Sequence, residues 1–434
     1  MRRHGLCLTL GAFLLLFPLT EPAMGQLTAA NAAVLGTGNN YTALARGVTA
    51  LALNPAGLSM PGTPGWSLAI FPFRAHSTLE PVTLTDIGSY GGSNLSAEVR
   101  ELWLQEILSA GGETGDFAAD ITAGAFTMGR VGVQVTTLIR GEAAITEPAA
   151  ELLLFGNAGR TGVPRDFSLS GDYLRGFAVT TVGLSAALPF KDVYLTQDFL
   201  EESLAVGATL KLSFGHALVL GQDAGSTLDD DPVELGLRFP VIQSDSADLR
   251  GNSGWGVGLD LGGAWTGGPW SVGVAVKDLF HTFEWDLGSM YFRPGEAIFD
   301  GETSEADFDA RSATDAPITL QNAVTDLRFH PSLTLGVGFQ AAQSLTVTTD
   351  IRKRFGEGID VGPDLHMGLG FEFRPITGLS LHAGGAKITD GFQGGGGLGV
   401  KLGPVELAGA GMVQDLADRS RTVLMFSAAI SGRR

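Results

Sequence analysis

The fold is decided by short segments in which apolar residues alternate with small or polar ones, most clearly Leu204-Ala205-Val206-Gly207-Ala208-Thr209-Leu210-Lys211-Leu212-Ser213-Phe214. Such strict alternation predicts a β-strand with one apolar and one polar face, because successive side chains of a strand point to opposite faces. The pattern recurs at 255–262, 270–277, 333–339, 345–352 and 365–373, where glycine, threonine and charge occupy the second face. The chain is therefore predicted to consist mainly of strands.

The composition indicates where the apolar faces point. The chain of 434 residues has 62 glycines and a positive mean hydropathy of +0.19. Glycine weakens helix interiors, and no apolar stretch beyond the N-terminus approaches the roughly 20 residues of a membrane-spanning helix. A transmembrane β-barrel distributes the same apolar character over many alternating strands. The predicted fold class is all-β, an antiparallel transmembrane barrel with an apolar outer face and a polar lumen.

Alternation and connection lengths together predict fourteen strands, at 65–74, 120–128, 131–140, 174–188, 203–224, 232–265, 270–285, 328–339, 344–354, 364–374, 378–387, 395–402, 405–414 and 421–431. Five even-numbered strands are followed by short connections, whereas long ones follow the first, third and seventh strands at 75–119, 141–173 and 286–327. Bacterial barrels have short periplasmic turns and long extracellular loops. Both termini are therefore expected in the periplasm. The connection at 189–202 and the sixth strand are longer than this scheme predicts.

Residues 1–25 are predicted to be a secretory signal peptide. A basic start is followed by the apolar run from Leu6 to Leu19 and the small-residue site Ala23-Met24-Gly25, which is the pattern of a cleaved signal. The single cysteine, Cys7, lies within it, so the mature chain is expected to have no disulfide and no thiolate chemistry.

The formal net charge of −18 would repel phosphate backbones, which argues against binding to nucleic acid. Residues 96–110 are predicted to form a helix in the first long loop, with Ser96 as its N-cap and Val99, Leu102, Trp103 and Ile107 on its apolar face. This helix would cover the barrel mouth or shape an entry groove.

The segment 26–64 contains the most specific motifs, Ala45-Arg46-Gly47-Val48-Thr49-Ala50 and then Asn54-Pro55-Ala56-Gly57-Leu58. In front of alternating strands, these motifs resemble the FadL/PorV-type superfamily of outer-membrane barrels. Weaker matches at 152–157, 256–262 and 331–336 look like its TraF-like branch. The resemblance implies that 26–64 forms a hatch inside a fourteen-strand barrel at 65–434. Proline has no N–H and disfavours helix at the preceding residue, so a helix over 43–53 is expected to end at Asn54.

Two functions follow from the resemblance. The first is passive uptake of a hydrophobic or amphipathic small molecule through the outer membrane, gated around Asn54, Pro55, Ala56 and Gly57. The alternative is a PorV-like accessory role, in which the barrel binds secretion cargo or partner proteins. A structural barrel without transport is a third possibility. The chain ends on Arg434, whereas many outer-membrane barrels end on an aromatic residue.

Charged and histidine side chains on the second face of the strands are predicted to line the lumen: Lys211, Asp260, Lys277, Asp350, Arg352, His366, Glu372 and His382. A buried charge needs a partner. Asp260 and Lys277 would lie on a diagonal across the 266–269 turn, which predicts an ion pair. A selectivity site for a charged solute is the other interpretation.

No enzyme, cofactor or metal site is predicted. The glycines at 256–262 and 394–397 do not open a helix after a strand, as nucleotide loops do. His366 and His382 are expected about four positions out of register, or roughly 13 Å apart, too far to share a metal. The acidic residues at 229–231 and 302–309 match no EF-hand and are expected to be solvated.

Overall fold

The structure, a computed structural model, describes residues 27–433 apart from 91–93, 191–194, 196–198, 200, 246–252, 301–303, 357, 360–361 and 417–419. The predicted signal peptide lies outside the described residues. In the part described, no helix has the length and apolarity needed to cross a membrane.

Fourteen antiparallel strands form a closed barrel, as predicted. They are β1 (Trp66–Ile70 continuing as Phe73–Glu80), β2 (Glu113–Met128), β3 (Val131–Ile145), β4 (Tyr173–Phe190), β5 (Glu202–Gln222), β6 (Gly254–Gly267), β7 (Trp270–His281), β8 (Ser332–Ala342), β9 (Leu345–Arg354), β10 (Leu365–Ile376), β11 (Leu379–Ile388), β12 (Gly391–Leu402), β13 (Val405–Leu416) and β14 (Ser420–Gly432). Each strand pairs with the next, and β14 closes on β1 through Leu68↔Ile430 and Ala75↔Leu424.

The predicted faces are confirmed. On β5 the apolar Leu210 is 53% exposed whereas its neighbour Lys211 is fully buried. The same contrast holds on β10, between exposed Met367 and Leu369 and buried His366. Apolar side chains therefore face outward, toward lipid, and the polar positions face the interior.

The two ends of the barrel differ in their connections. At one end, here called the turn end, strands are joined by short segments such as Gly129-Arg130 and Gly403-Pro404. At the other, the loop end, long connections run over 81–112, 146–172, 223–253 and 282–331. Three of these match the predicted loops with shifted bounds. The first two are shorter than predicted because β1, β2 and β3 extend further toward the loop end, and the third is longer because β7 ends earlier and β8 begins later. The fourth was not predicted.

The predicted sixth strand, 232–265, is wrong. Only Gly254–Gly267 belongs to the barrel, and the preceding residues form two other strands, Val233–Arg238 and Val241–Ser244. Pro240 separates them because proline cannot donate to a ladder. Val233–Arg238 joins a second sheet of five short strands, with Phe167–Ser168, Thr227–Asp230, Glu296–Phe299 and Ser304–Asp307.

Helices are few and short. The N-terminal residues contain α1 (Ala32–Gly36), α2 (Val48–Leu53) and a 3₁₀ turn (Pro55–Ser59), and the loop end carries α3 (Leu84–Ser89), α4 (Ala97–Ala110), α5 (Glu147–Phe155) and α6 (Ile318–Thr325). The loop helix predicted at 96–110 is confirmed, with Ser96 accepting from the N–H of Val99. Its buried face differs from the prediction, because Leu104 is fully buried and Leu102 is exposed.

Candidate functional site

The candidate site is the barrel interior, where the N-terminal segment (residues 27–65) contacts strands all around the wall. The Nε2 of Gln134 on β3 donates to the carbonyl of Thr28 (2.6 Å), and Ser427 on β14 accepts from the N–H of Ala32 (2.9 Å). Most of the residues between Leu27 and Met60 are buried. The segment therefore occupies interior space that the strands enclose.

The Asn54-Pro55 motif sets the turn between α2 and the 3₁₀ turn. Asn54 ends α2, and its Oδ1 accepts from the N–H of Ala56 (3.2 Å). Its Nδ2 donates to the carbonyl of Gly263 on β6 (2.9 Å). Pro55 has no N–H to satisfy, which suits the first position of the new turn. A single side chain thus caps the turn and joins it to the wall.

Inward-facing glycines explain how the segment comes so close to the strands. A Cβ at Gly384 on β11 would overlap the carbonyl of Thr37, and a Cβ at Gly207 on β5 would overlap the backbone of Pro55 and Ala56. Glycine allows this close backbone approach. The glycine-rich face that the sequence displays is therefore, at these positions, the surface against which the N-terminal segment packs.

Asp350 on β9 binds the segment at its centre. Its Oδ2 accepts hydrogen bonds from the N–H of Tyr41 (3.1 Å), the N–H of Thr42 (3.1 Å) and the Oγ1 of Thr42 (2.7 Å). The carboxylate is fully buried. Hydrogen bonds to a charged acceptor are stronger than those to a neutral one. Asp350 therefore anchors the segment to the barrel wall through three such bonds.

A second polar group lies on β10 and β11. Glu372 accepts from the hydroxyl of Tyr41 (2.8 Å) and lies 3.6 Å from the Nε2 of His382, which stands directly opposite it. His366 contacts the Oδ1 of Asn40 through its Nε2 (3.0 Å). His366 pairs with Ile388, so the two histidines lie six positions apart along the ladder rather than the predicted four. The difference arises because the turn lies at Thr377-Gly378, beyond residue 376, about which the prediction folds the two strands.

The variant Asp350→Asn tests this anchoring. We expect the segment to lose about 2 kcal/mol of local stability, because a neutral acceptor replaces a charged one for three donors. Amide hydrogen exchange at Tyr41 and Thr42, followed by mass spectrometry, should accelerate about 30-fold. The control Asp364→Asn removes the partner of Arg354 at the loop end and should leave these amides unchanged. Unchanged exchange in Asp350→Asn would contradict the anchoring role.

The predicted ion pair between Asp260 and Lys277 is wrong, because Asp260 pairs with Lys211 on β5 at 2.5 Å. Lys211 also pairs with Asp278, and the N–H of Asp278 donates to Asp260 (2.6 Å). The ladder between β6 and β7 shifts register between Leu259 and Leu261, and Asp278 has a left-handed φ of 60°. This bulge changes the direction in which the nearby β7 side chains point.

Two remaining candidates stand outside these groups. Lys277 is half-buried opposite Ser332, and Arg352 donates from its Nε to the hydroxyl of Thr334 (3.2 Å). Among the described residues, neither side chain forms a hydrogen bond with the N-terminal segment. Asp278 and Tyr41 were missed by the sequence reasoning, since nothing local marks a bulge or a contact 331 positions away.

Above the buried Lys211 group, toward the loop end, the interior becomes apolar. Inward side chains of β3, β4 and β5 pack against the 282–331 connection in one buried cluster, which includes Leu138, Phe177, Val179, Leu218, Leu220, Phe283, Trp285, Leu320, Val324 and Phe329. Between this cluster and the N-terminal segment lies a layer of hydroxyl pairs, Thr181 with Ser213 (2.9 Å) and Ser185 with Thr209 (2.7 Å). The interior thus has three layers, namely the apolar cluster at the loop end, the layer of hydroxyl pairs, and the N-terminal segment.

A cavity of about 190 Å³ opens beside this apolar cluster, lined by charged side chains of β1 to β4 and β14, among them His76, Asp116, Arg140, Glu142, Arg175 and Arg421. His76 and Asp116 are 2.6 Å apart, and Arg175 is 2.5 Å from Glu142. None of these residues was a sequence candidate. Their alternation along the strands marks them as inward-facing, but their grouping depends on the register.

Ion pairs also tie the loop-end helices together. Arg160 contacts Glu101 of α4 (2.9 Å) and Glu151 of α5 (3.4 Å). The hydrogen bond from Arg160 lowers the pKa of Glu101, so this pair persists at mildly acidic pH. Within the described residues, no group of three or more histidine, aspartate or glutamate side chains is placed to hold a metal ion.

Comparisons with known proteins place the chain in a family. The model of the family described as "F plasmid transfer operon, TraF, protein" (TraF_2) matches residues 108–351, which is more than half of the chain. The chain belongs to the TraF_2 family. No curated protein gives a significant match to this TraF_2 member.

Solved structures similar to this TraF_2 barrel include a FadL homologue and hydrocarbon channels. A Pseudomonas aeruginosa FadL homologue is 14% identical, with 95% of this chain and 100% of that chain covered and a TM-score of 0.47. The Pseudomonas putida toluene transporter TodX is 10% identical over 95% and 99%, with a TM-score of 0.48. The deltaS2 mutant of the TodX monoaromatic hydrocarbon channel is 11% identical over 92% and 97%, with a TM-score of 0.50. This last likeness supports a FadL-type fold for the chain.

Proposed function

We propose that this TraF_2 protein is an outer-membrane channel for passive uptake of hydrophobic or amphipathic small molecules, with both termini in the periplasm and the N-terminal segment as its hatch. The observation that carries the proposal is the buried apolar cluster inside the loop end of the barrel. A lumen that conducts only water and ions has no need of such a cluster. Because its side chains are packed against one another, an apolar solute leaving water would enter where the 282–331 connection moves away from β3, β4 and β5. The deltaS2 mutant of TodX, which has a similar fold, is a monoaromatic hydrocarbon channel.

The hatch role rests on how the N-terminal segment is held. Its contacts with the wall combine close backbone packing on glycine with a few polar anchors, namely Asn54, Asp350, Glu372 and His366. A few hydrogen bonds of about 1 kcal/mol each can be exchanged without unfolding the strands. We assign gating to the turn at Asn54, Pro55, Ala56 and Gly57, and the lining of the route to Lys211, Asp260, Lys277, Asp350, Arg352, His366, Glu372 and His382.

The test is mass spectrometry of small molecules extracted from gently purified protein, comparing wild type with Asn54→Ala, Pro55→Ala. The double variant loses the cap on Ala56 and the bond to Gly263, a change of about 1 kcal/mol. We expect retained apolar compounds to fall about fivefold, because a looser hatch releases them.

The control is Pro61→Ala, at an exposed proline of the same segment whose carbonyl still accepts from Arg46. It should retain the wild-type content. Wild-type barrels that carry no apolar compound and are unchanged by the double variant would refute the uptake proposal. Stoichiometric co-purification of a secretion partner with such empty barrels would instead support the accessory role.

A further inference from the structure

The lipid-facing wall carries two lysines where apolar side chains are the rule. Among the described residues of β1 to β14, Lys353 on β9 and Lys387 on β11 are the lysine or arginine residues at outward-facing positions, each the penultimate residue of its strand at the loop end. A charged side chain on this face is costly at mid-membrane and tolerated near the headgroups. The two lysines therefore mark the headgroup level at the loop end of the barrel.

The pairing register brings the two lysines to one place. Lys353 stands opposite Leu365, and Lys387 stands opposite Met367, two residues further along β10. At normal strand spacing and rise, their Cα atoms are about 12 Å apart across β10. Long lysine side chains extend toward headgroups from such positions. Both ammonium groups can thus reach one anionic group lying over β10.

A groove in the outer wall begins at the same point. It has a volume of about 550 Å³ and is lined by Ile351, Met367, Leu369, Gly385, Lys387 and Phe392, among others. Gly385 faces outward, so the groove has no side chain on its floor there, while Met367 (48% exposed) and Phe392 (63% exposed) form its sides. The groove is mainly apolar, with Thr349 as a polar side chain in its lining, and has a cation at its loop-end rim.

The two lysines flank β10 and leave the space over it positively charged. Neither lysine has an ion-pair partner among the residues that the structure describes. Of the nearby acids, Asp364 pairs with Arg354 (2.6 Å). Asp415, opposite Phe392 on β13, and Asp390, in the turn after β11, lie on the side of Lys387 away from Lys353. Because the wall faces the bilayer, hydrocarbon must fill the groove, and a phosphate is the anion found beside hydrocarbon at headgroup level.

We propose that this groove binds one anionic phospholipid, with its phosphate held by Lys353 and Lys387 and an acyl chain lying in the groove over Gly385. The site is separate from the interior and does not depend on the transport proposal. It gives this segment of the outer wall a specific lipid neighbour rather than a general apolar contact.

The experiment is native mass spectrometry of the barrel released from phosphatidylcholine vesicles that contain phosphatidylglycerol as the anionic probe. We expect one phosphatidylglycerol to be retained per barrel, with about tenfold preference over phosphatidylcholine. The double variant Lys353→Gln, Lys387→Gln should abolish this preference. The control Lys401→Gln removes an exposed lysine at the turn end of β12 and should preserve it.

A second variant tests the contribution of the groove while both lysines are kept. A Cβ at Gly394, which stands opposite Gly385, meets no atom within 4 Å, so Gly394→Leu should fold and partly fill the groove. We expect it to lower total lipid retention severalfold while both lysines remain. Equal retention of phosphatidylglycerol by the wild type and the double lysine variant would overturn the proposal, as would a dimer in which a second copy covers the groove.

Discussion

Replacing Lys211 with methionine is expected to destabilise the barrel by about 3–5 kcal/mol, because two buried carboxylates lose their shared cation. Lys211 is fully buried, and Asp260 and Asp278 beside it are 4% and 0% exposed. Methionine preserves much of the side-chain volume but cannot neutralise either carboxylate. The midpoint of urea unfolding, followed by the heat-dependent electrophoretic mobility of the folded barrel, should fall markedly.

The triple variant Lys211→Met, Asp260→Asn, Asp278→Asn distinguishes the effect of the lost charge from the effect of the changed side-chain packing. With no charge left to pair, we expect most of the lost stability to return, since replacing a whole buried ion group is far less costly than removing one partner. A Lys211→Met midpoint equal to that of the wild type would show that water or another cation satisfies the two carboxylates. Failure of the triple variant to recover would show that the side-chain packing of Lys211 matters more than its charge.

The variant Gly384→Val is expected to displace the N-terminal segment from the wall. The new side chain would occupy the space of the Thr37 carbonyl, which is backbone and cannot turn away as a flexible side chain can. Overpacking of this kind costs about 1–3 kcal/mol, and displacing the segment relieves it without breaking the strands. Ion conductance across planar bilayers should rise, and residues 27–65 should become sensitive to protease.

A matched control exists on the neighbouring strand. Gly394 on β12 faces outward, and a Cβ there meets no atom within 4 Å. Gly394→Val makes the same chemical change in the same barrel but should leave conductance and protease sensitivity as in the wild type. Equal effects from both variants would mean that valine acts through the strands themselves rather than through the N-terminal segment.

The parts of the fold that repeat along the chain could be predicted from the sequence. Alternation has a period of two residues and so directly reports which side chains share a face. That is why the fourteen strands and the outward position of Leu210 or Met367 follow from local pattern. The sixth strand failed because Val233–Arg238 and Val241–Ser244 have strand-like sequence of their own, and a local pattern cannot tell which sheet a strand joins.

For the candidate site too, the sequence predicts which side chains face inward but not which groups they contact. The sequence indicates that Lys211 and Glu372 face inward, because both of their neighbours in the chain are apolar, and that Asp350 does so, because it continues the alternation of Thr346 and Thr348. It does not indicate that Asp350 binds Tyr41 and Thr42, which are more than 300 positions away. Contacts of that separation depend on the path of the N-terminal segment through the interior.

The sequence by itself determined the strand count, the two faces and the presence of an unusual segment before the first strand. Each of these features is indicated by residue types that lie close together in the chain. The tertiary structure alone decided that Asp260 pairs with Lys211 rather than Lys277, through a bulge that shifts the register between β6 and β7. It also decided which glycines contact the N-terminal segment. Register and close approach are set by the closure of the whole barrel, where each strand is held by both neighbours, so no local stretch of sequence contains them.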